Sequence, residues 1–177
     1  MTYLEPHRKP EGLRDRIAFA FVKFLRFFAD LFFRKRYGHR AVVLETVAAV
    51  PGMVAGLLQH LRAIRRMRDD QGWIKELLDE AENERMHLMT FIQVAKPSLF
   101  ERGLIMIAQA IFYNFYFFLY LFAPKTAHRV IGYFEEEAVT SYTHYLREID
   151  EGRLENGPAP QIARSEEHTS ELQSPVP

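Results

Sequence analysis

Residues 81–90 read "AENERMHLMT" and place a glutamate and a histidine three positions apart, Glu84 and His87. The surrounding residues, 71–96, have the periodicity of an amphipathic helix, and Pro97 predicts its end. At 3.6 residues per turn, Glu84 falls in the stripe that should face inward. The other members of this stripe are Trp73, Leu77, Ala81, Leu88 and Phe91. Alone, a Glu-x-x-His pair is more often a surface pair than a metal site. A metal site is therefore predicted only if other helices also supply ligands.

Five helices are predicted, and strand alternation is absent. They cover about residues 14–33, 41–68, 71–96, 98–122 and 124–151. Ser98 and Glu101 have the spacing of a capping box at the start of the fourth helix. The predicted fold class is therefore all-α, a bundle of antiparallel helices.

The composition excludes several classes of protein. No cysteine is present, so disulfides, zinc–thiolate sites and thiol nucleophiles are excluded. Residues 1–68 carry 14 Lys and Arg against 5 Asp and Glu, whereas residues 69–177 carry 9 against 18. This split argues against a nucleic-acid-binding protein and permits a basic edge that faces anionic lipid. The polar start, "MTYLEPHRKPEG", does not resemble an export or transit sequence.

Aromatic residues are concentrated in the first and fourth helices. Seven Phe fall within residues 19–33, and eight Phe or Tyr fall within residues 112–122. Residues 104–123 contain no charge and are long enough to span a membrane, but Gln109 and Asn114 interrupt them. The first helix has an aromatic stripe followed by Arg34, Lys35 and Arg36, which is typical of an interfacial helix. A helix that is buried by protein or lies in one leaflet is therefore favoured over a span.

Carboxylates occur on three otherwise apolar helix faces. Glu45 is the only acidic residue within residues 41–58, and an unpaired buried carboxylate costs several kcal/mol. Glu135 shares a face with Ala138 and Tyr142. Each could be structural, since Glu45 could pair with Arg40 or a tyrosine and the "EEE" run could be solvated. Together with the Glu-x-x-His pair they match carboxylate-bridged di-iron bundles, whose oxygen and imidazole ligands suit iron or manganese.

Three stretches carry a specific resemblance to a known family. They are "LETVAAVPGM" at 44–53, "NERMHL" at 83–88 and "FEEEA" at 134–138. In this order and at these separations they resemble the alternative oxidases, the cyanide-insensitive quinol oxidases, over about residues 26–151. The stretch "RYGHRAVVLETVAAVPGM" resembles the bacterial members especially.

The resemblance implies a function and a setting. It implies a ferritin-like di-iron bundle with two iron ions per intact chain, which oxidises ubiquinol and reduces dioxygen to water without pumping protons. It also implies a homodimer bound to the lipid of one membrane leaflet. No nucleic-acid partner is expected, because of the charge distribution described above. The expected location is the cytoplasmic face of a bacterial inner membrane, or the matrix face of the mitochondrial inner membrane if the source is eukaryotic.

The resemblance also assigns residues. The implied iron ligands are Glu45, Glu84, His87 and Glu135. Tyr142 is the implied redox-active tyrosine. The implied quinol-binding residues are Arg26, Asp30, Arg40, Leu44, Phe134, Glu137, Ala138 and Ser141.

The sequence departs from the family pattern after the fifth helix. The family has a second Glu-x-x-His on a sixth helix, whereas Glu84 and His87 form the only such pair in this sequence. The stretch "RSEEHTSELQSPVP" at 164–177 resembles a translated sequencing adapter, although a natural disordered tail is the alternative. We therefore expect an N-terminal extension at 1–12, an incomplete bundle at 13–152 that lacks its last helix, a non-native or disordered tail at 153–177, and an inactive fragment.

Two other functions remain open. One is a different di-iron enzyme, such as a quinone-ring hydroxylase, which an assay for water against hydroxylated product would distinguish. The other is a non-catalytic helical protein of the membrane surface, in which Glu45 and Glu84 could be replaced by Gln without loss.

Overall fold

The computed structural model describes residues 8–33 and 36–164. It contains five long helices: α1 (Leu13–Phe33), α2 (Tyr37–Arg66), α3 (Trp73–Ala95), α4 (Leu99–Phe122) and α5 (Pro124–Asp150). No strand occurs within these residues, so the predicted all-α class is confirmed. Residues 161–164 add one helical turn. The rest of the predicted tail, Arg34 and Lys35 of the predicted basic cluster, and residues 1–7 of the predicted extension lie outside the described residues.

The boundary between α3 and α4 is built by local hydrogen bonds. Helix α3 ends where Lys96 adopts a φ of 49° and donates its backbone N–H to Ile92 at 3.0 Å. The backbone N–H of Ser98 donates to Glu101 Oε2 at 2.9 Å, and the N–H of Glu101 donates to Ser98 Oγ at 3.3 Å. The predicted capping box at the start of α4 is thus confirmed.

The end of α2 and the start of α3 each differ by two residues from the predicted boundaries. Helix α2 ends at Arg66 because Met67 adopts a φ of 45°, which is outside the helical region. Gln71 and Gly72 have φ values of 56° and 87°, so α3 begins at Trp73 rather than at residue 71. Trp73 itself is exposed, so the inward stripe predicted for α3 does not include it.

The described chain divides into two units, each of which is treated by itself. The α1–α5 unit comprises the described residues up to Tyr37 together with Tyr113–Asn156, and the α2–α3 unit comprises Gly38–Phe112 with residues 157–164. In the α1–α5 unit the core is formed where Ala18 and Val22 pack against Val130 and Tyr133. Helices α1 and α5 are therefore held side by side by apolar contacts.

Close backbone contact brings α2 and α3 together in the α2–α3 unit. A Cβ atom at Gly52 would lie 2.5 Å from the carbonyl oxygen of Leu77 and 3.0 Å from the Cβ of Ala81. One turn later, a Cβ at Gly56 would lie 3.1 Å from the side chain of Leu78. The missing side chains of these two glycines allow the helices to approach closely, and this approach fixes the positions of the acidic residues nearby.

Two helices, α2 and α4, are long and apolar enough to cross a membrane by length and composition alone. The apolar window of α2 is 61% buried, as in a core helix, whereas that of α4 is only 17% buried. In the α1–α5 unit, Phe21 on α1 stacks on Phe115 on α4 with a centroid separation of 4.7 Å. The apolar faces of α1 and α4 therefore meet, and many of their outer side chains are exposed.

Candidate functional site

Glu45, Glu84 and His87 converge in the α2–α3 unit. Glu45 is buried on α2, and Glu84 and His87 are partly buried one turn apart on α3. His87 Nδ1 lies 3.5 Å from Glu45 Oε2 and 3.9 Å from Glu84 Oε2. One potential ligand atom from each residue lies within 4.8 Å of the other two. We refer to these three residues as the carboxylate–histidine cluster.

Charge compensation explains how two carboxylates can share this partly buried place. Interaction with Glu45, and secondly with Glu84, raises the pKa of His87 to about 10. Burial raises the pKa of Glu84, and the neighbouring Glu45 adds to this increase. The two carboxylates therefore favour the protonated form of the imidazole, whose positive charge offsets theirs.

The donor set of the carboxylate–histidine cluster fits a metal ion. Two carboxylates and one imidazole offer the oxygen and nitrogen ligands that iron and manganese accept. A cation bound among them would offset the negative charge of the two carboxylates. The cluster can therefore hold a metal, as the three motifs taken together predicted.

Glu135 and Tyr142 lie on α5 in the α1–α5 unit. Glu135 is exposed and Tyr142 is partly buried. Of the three consecutive glutamates on α5, the buried one is Glu137. The roles that the sequence predicts for Glu135 and Tyr142 stay predictions.

A charged cluster surrounds Glu137 in the α1–α5 unit. Arg26 on α1 pairs with Glu137 Oε2 and donates to the Glu137 backbone carbonyl at 3.2 Å. The same guanidinium donates through Nε to Asp30 at 3.1 Å. Lys23 Nζ lies 2.5 Å from Glu137 Oε1. The resemblance implied that Arg26, Asp30 and Glu137 bind quinol, whereas nothing in the sequence predicted the contact of Lys23 with Glu137.

The remaining predicted quinol-binding residues are distributed over both units. In the α1–α5 unit, Ser141 is buried one turn after Glu137, and Phe134 and Ala138 are partly buried. In the α2–α3 unit, Arg40 is buried and Leu44 is partly buried in the turn before Glu45. The role of each stays a prediction.

A second ionic contact between α1 and α5 was also missed from the sequence. Asp15 accepts from Arg129 Nε at 2.5 Å and from the Tyr133 hydroxyl at 3.2 Å. The Arg129 guanidinium lies 4.6 Å from the centroid of the Tyr133 ring. Hydrogen bonding to Arg129 lowers the pKa of Asp15 to about 2. Asp15 also accepts from the backbone N–H of Glu11 at 2.8 Å. This cluster is structural, because the contacts of Asp15 with Arg129 and Tyr133 join α1 to α5.

Comparison with known proteins gives consistent matches over nearly the whole chain. A family model described as alternative oxidase matches residues 3–166. A mitochondrial ubiquinol oxidase of Batrachochytrium dendrobatidis is 63% identical over 157 residues, which are 89% of this chain and 50% of that protein. The mitochondrial ubiquinol oxidase 1 of Nicotiana tabacum is 57% identical and the 1a form of Arabidopsis thaliana is 58% identical, each over 160 residues, 90% of this chain and 45% of the relative.

The chain spans about half the length of the curated relatives it matches. The match to the family model nevertheless includes all three motifs on which the resemblance was based. The all-helical fold and the carboxylate–histidine cluster agree with it. The chain belongs to the alternative oxidase family.

Proposed function

We propose that this chain forms part of a terminal ubiquinol oxidase that reduces dioxygen to water without proton pumping. The observation that carries the proposal is the convergence of Glu45, Glu84 and His87 within 4.8 Å. Two findings support the proposal: the chain belongs to the alternative oxidase family, and its relatives are named ubiquinol oxidases.

Iron is the proposed metal, and Glu45, Glu84, His87 and Glu135 are its proposed ligands in this chain. Bound iron, two ions in the complete protein, would supply the redox chemistry that passes electrons from quinol to dioxygen. Within these 177 residues the proposed ligands are three carboxylates and one imidazole. A di-iron bundle uses two Glu-x-x-His motifs, so these residues alone should hold fewer than two irons firmly.

The proposed quinol site contains the charged cluster around Glu137. Quinol hydroxyls are both donors and acceptors, and Arg26, Asp30 and Glu137 offer both kinds of partner. Arg26 uses Nε for Asp30 and Nη1 for Glu137, and its Nη2 makes no hydrogen bond to any described residue. This N–H group is available to a quinol oxygen. The other proposed quinol-binding residues are Arg40, Leu44, Phe134, Ala138 and Ser141.

Tyr142 is the proposed redox-active side chain. It lies one residue after Ser141, which is buried and proposed to line the quinol pocket. A phenol can give up an electron and a proton together, which suits a step between quinol and metal. Its hydroxyl, rather than its ring, is the group on which this role depends.

The exposed apolar faces of α1 and α4 are the proposed membrane-binding surface. Exposed side chains on α1 include Phe24, Phe27 and Phe28, and those on α4 include Phe118 and Phe122. An apolar face of this kind lies in one leaflet when basic residues border it, as Arg36 does after α1. The proposed location is the mitochondrial inner membrane, as the names of the relatives support, and the proposed assembly is a homodimer.

Oxygen uptake tests the proposed function in the complete gene product that carries this chain. The protein is reconstituted with iron in liposomes, and uptake is followed with a short-chain ubiquinol in the presence of cyanide. We expect quinol-dependent uptake, with water and unmodified quinone as products. A hydroxylated ring would favour the hydroxylase instead. Uptake that persists when Glu45 and Glu84 are both changed to Gln would remove the metal site from the mechanism.

A further inference from the structure

Lys23 contacts the most deeply buried acid of the proposed quinol site. Its Nζ lies 2.5 Å from Glu137 Oε1, and the Glu137 side chain is only 6% exposed. The Lys23 side chain is 44% exposed, so the lysine reaches a buried carboxylate from the surface. A long basic side chain can do this because its methylene stem packs along apolar surface while its ammonium group stays hydrated.

The two oxygens of Glu137 have different cationic partners. The Nζ of Lys23 forms an ion pair with Oε1, whereas Nη1 of Arg26 pairs with Oε2 and donates to the Glu137 backbone carbonyl. An isolated carboxylate and a guanidinium favour a two-bond pair that uses both oxygens and two N–H groups. Because Lys23 occupies one oxygen, Arg26 forms only one contact with the carboxylate and keeps Nη2 unshared.

A cation–π contact with Phe19 also restrains Lys23. Its Nζ lies 5.5 Å from the centroid of the Phe19 ring. Phe19 packs edge-on against Tyr133 at 5.1 Å, and Tyr133 is fully buried in the core of the α1–α5 unit. The ammonium group is therefore held between a ring anchored in the core and a buried carboxylate, which limits its conformations.

We infer that Lys23 is a positioning residue for quinol binding, and this inference rests on the proposed function. By holding Glu137 Oε1, Lys23 prevents Glu137 from closing into a two-bond pair with Arg26. The Nη2 group of Arg26 then stays directed to a quinol oxygen. Lys23 itself does not contact the quinol; it acts through Glu137 and Arg26.

Steady-state kinetics of the complete gene product test this inference. We expect Lys23→Ala to raise the KM for a short-chain ubiquinol about two- to fivefold, which is the range of a lost, partly exposed ion pair acting on binding. We expect kcat to change less than about twofold. Lys23→Arg should restore the KM, because a guanidinium can hold the same oxygen. In a Glu137→Gln background, Lys23→Ala should have no further effect.

Arg14→Ala is the matched control. Arg14 is an exposed basic residue on the same helix, without an ion pair among the described residues, so its removal changes the charge of α1 but not Glu137. An equal rise in KM in Arg14→Ala and Lys23→Ala would mean that only surface charge matters. An unchanged KM in Lys23→Ala, with less folded protein, would mean that the lysine is only structural. Either result overturns the inference. Absence of quinol-dependent uptake in the unmodified protein would instead overturn the proposed function.

Discussion

Gly52 on α2 lies so close to α3 that a Cβ atom there would be 2.5 Å from the carbonyl oxygen of Leu77. Backbone atoms cannot move aside as a flexible side chain can. Gly52→Ala must therefore push the two helices apart, and we expect it to destabilise the protein by about 1–3 kcal/mol. The measurement is denaturant unfolding of the 177-residue chain in detergent.

Two other glycines provide graded controls for this prediction. At Gly56 the nearest atoms, 3.1 Å away, belong to the Leu78 side chain, which can rotate, so Gly56→Ala should cost less than Gly52→Ala. At Gly103, inside α4, a Cβ would meet nothing within 4 Å, and alanine there should stabilise by about 0.5–1 kcal/mol. An equal loss of stability at all three positions would show that the close contact between α2 and α3 is not the cause of the destabilisation.

Metal binding should depend on each member of the carboxylate–histidine cluster. We expect Glu45→Gln, Glu84→Gln and His87→Gln each to weaken ferrous iron binding to the 177-residue chain by about tenfold or more, because each removes one of few ligands. Anaerobic titration of iron by equilibrium dialysis gives the affinity and the stoichiometry. Glu80→Gln removes an exposed acid from the same helix and should leave binding unchanged. Two tightly held irons per 177-residue chain would contradict the proposal that these residues lack ligands.

Tyr142→Phe should abolish turnover in the complete gene product while its iron content stays unchanged. The ring volume is kept, and only the hydroxyl is lost. Oxygen uptake and iron content are measured on the same preparation. Tyr145→Phe, on the same helix, keeps the ring that stacks on Tyr37 at 5.4 Å and serves as the control. Near-normal uptake by Tyr142→Phe would exclude its proposed role.

The ion pair of Asp15 with Arg129 should make the stability of the protein depend on pH in the acid range. The pKa of Asp15 falls from the ordinary 3.8 to about 2 in the folded protein. Above 3.8 the stabilisation is therefore fully present, and it is lost as the pH falls from there through about 2. We expect Asp15→Asn to lower the melting temperature at pH 6, and the difference from wild type to narrow below pH 4. The exposed acid Asp79, changed to Asn, should show a much smaller difference at pH 6.

Membrane binding should depend on the exposed phenylalanines of α1. Each phenylalanine ring that enters lipid contributes about 1.5–3 kcal/mol of transfer free energy, and replacing Phe24, Phe27 and Phe28 by Ser removes this contribution. The fraction of the 177-residue chain that floats with anionic liposomes should therefore fall sharply. Met67→Ser removes an exposed apolar side chain outside α1 and should float like wild type. Wild-type protein that stays wholly at the bottom of the gradient would refute the proposed surface.

The sequence predicted the helices well because each boundary has a local chemical cause. Pro97 and the Ser98–Glu101 capping box act within a few residues, so their pattern can be read directly. The burial of Glu45 was also predictable, because it is the single acid in a long apolar stretch. The convergence of Glu45 with Glu84 and His87 followed from three motifs taken together, not from the helical period alone.

Long-range contacts between side chains were harder to predict. Lys23 lies on an amphipathic helix beside aromatic residues, and by pattern alone it is an ordinary solvated lysine. Its contact with Glu137 depends on how α1 packs against α5, which local spacing does not specify. Trp73 shows the opposite error: its position fits the inward stripe of α3, but the positive φ angles at Gln71 and Gly72 place it at the very start of the helix, where it is exposed.

The apolar window of α4, only 17% buried, has a consequence for biosynthesis. The helix satisfies its own backbone hydrogen bonds as soon as it forms, but folding of the chain does not remove its side chains from water. A newly made chain therefore carries this surface through the aqueous compartment until a lipid or chaperone covers it. Translation in a lipid-free extract should yield aggregates, whereas liposomes supplied during synthesis should keep the product dispersed.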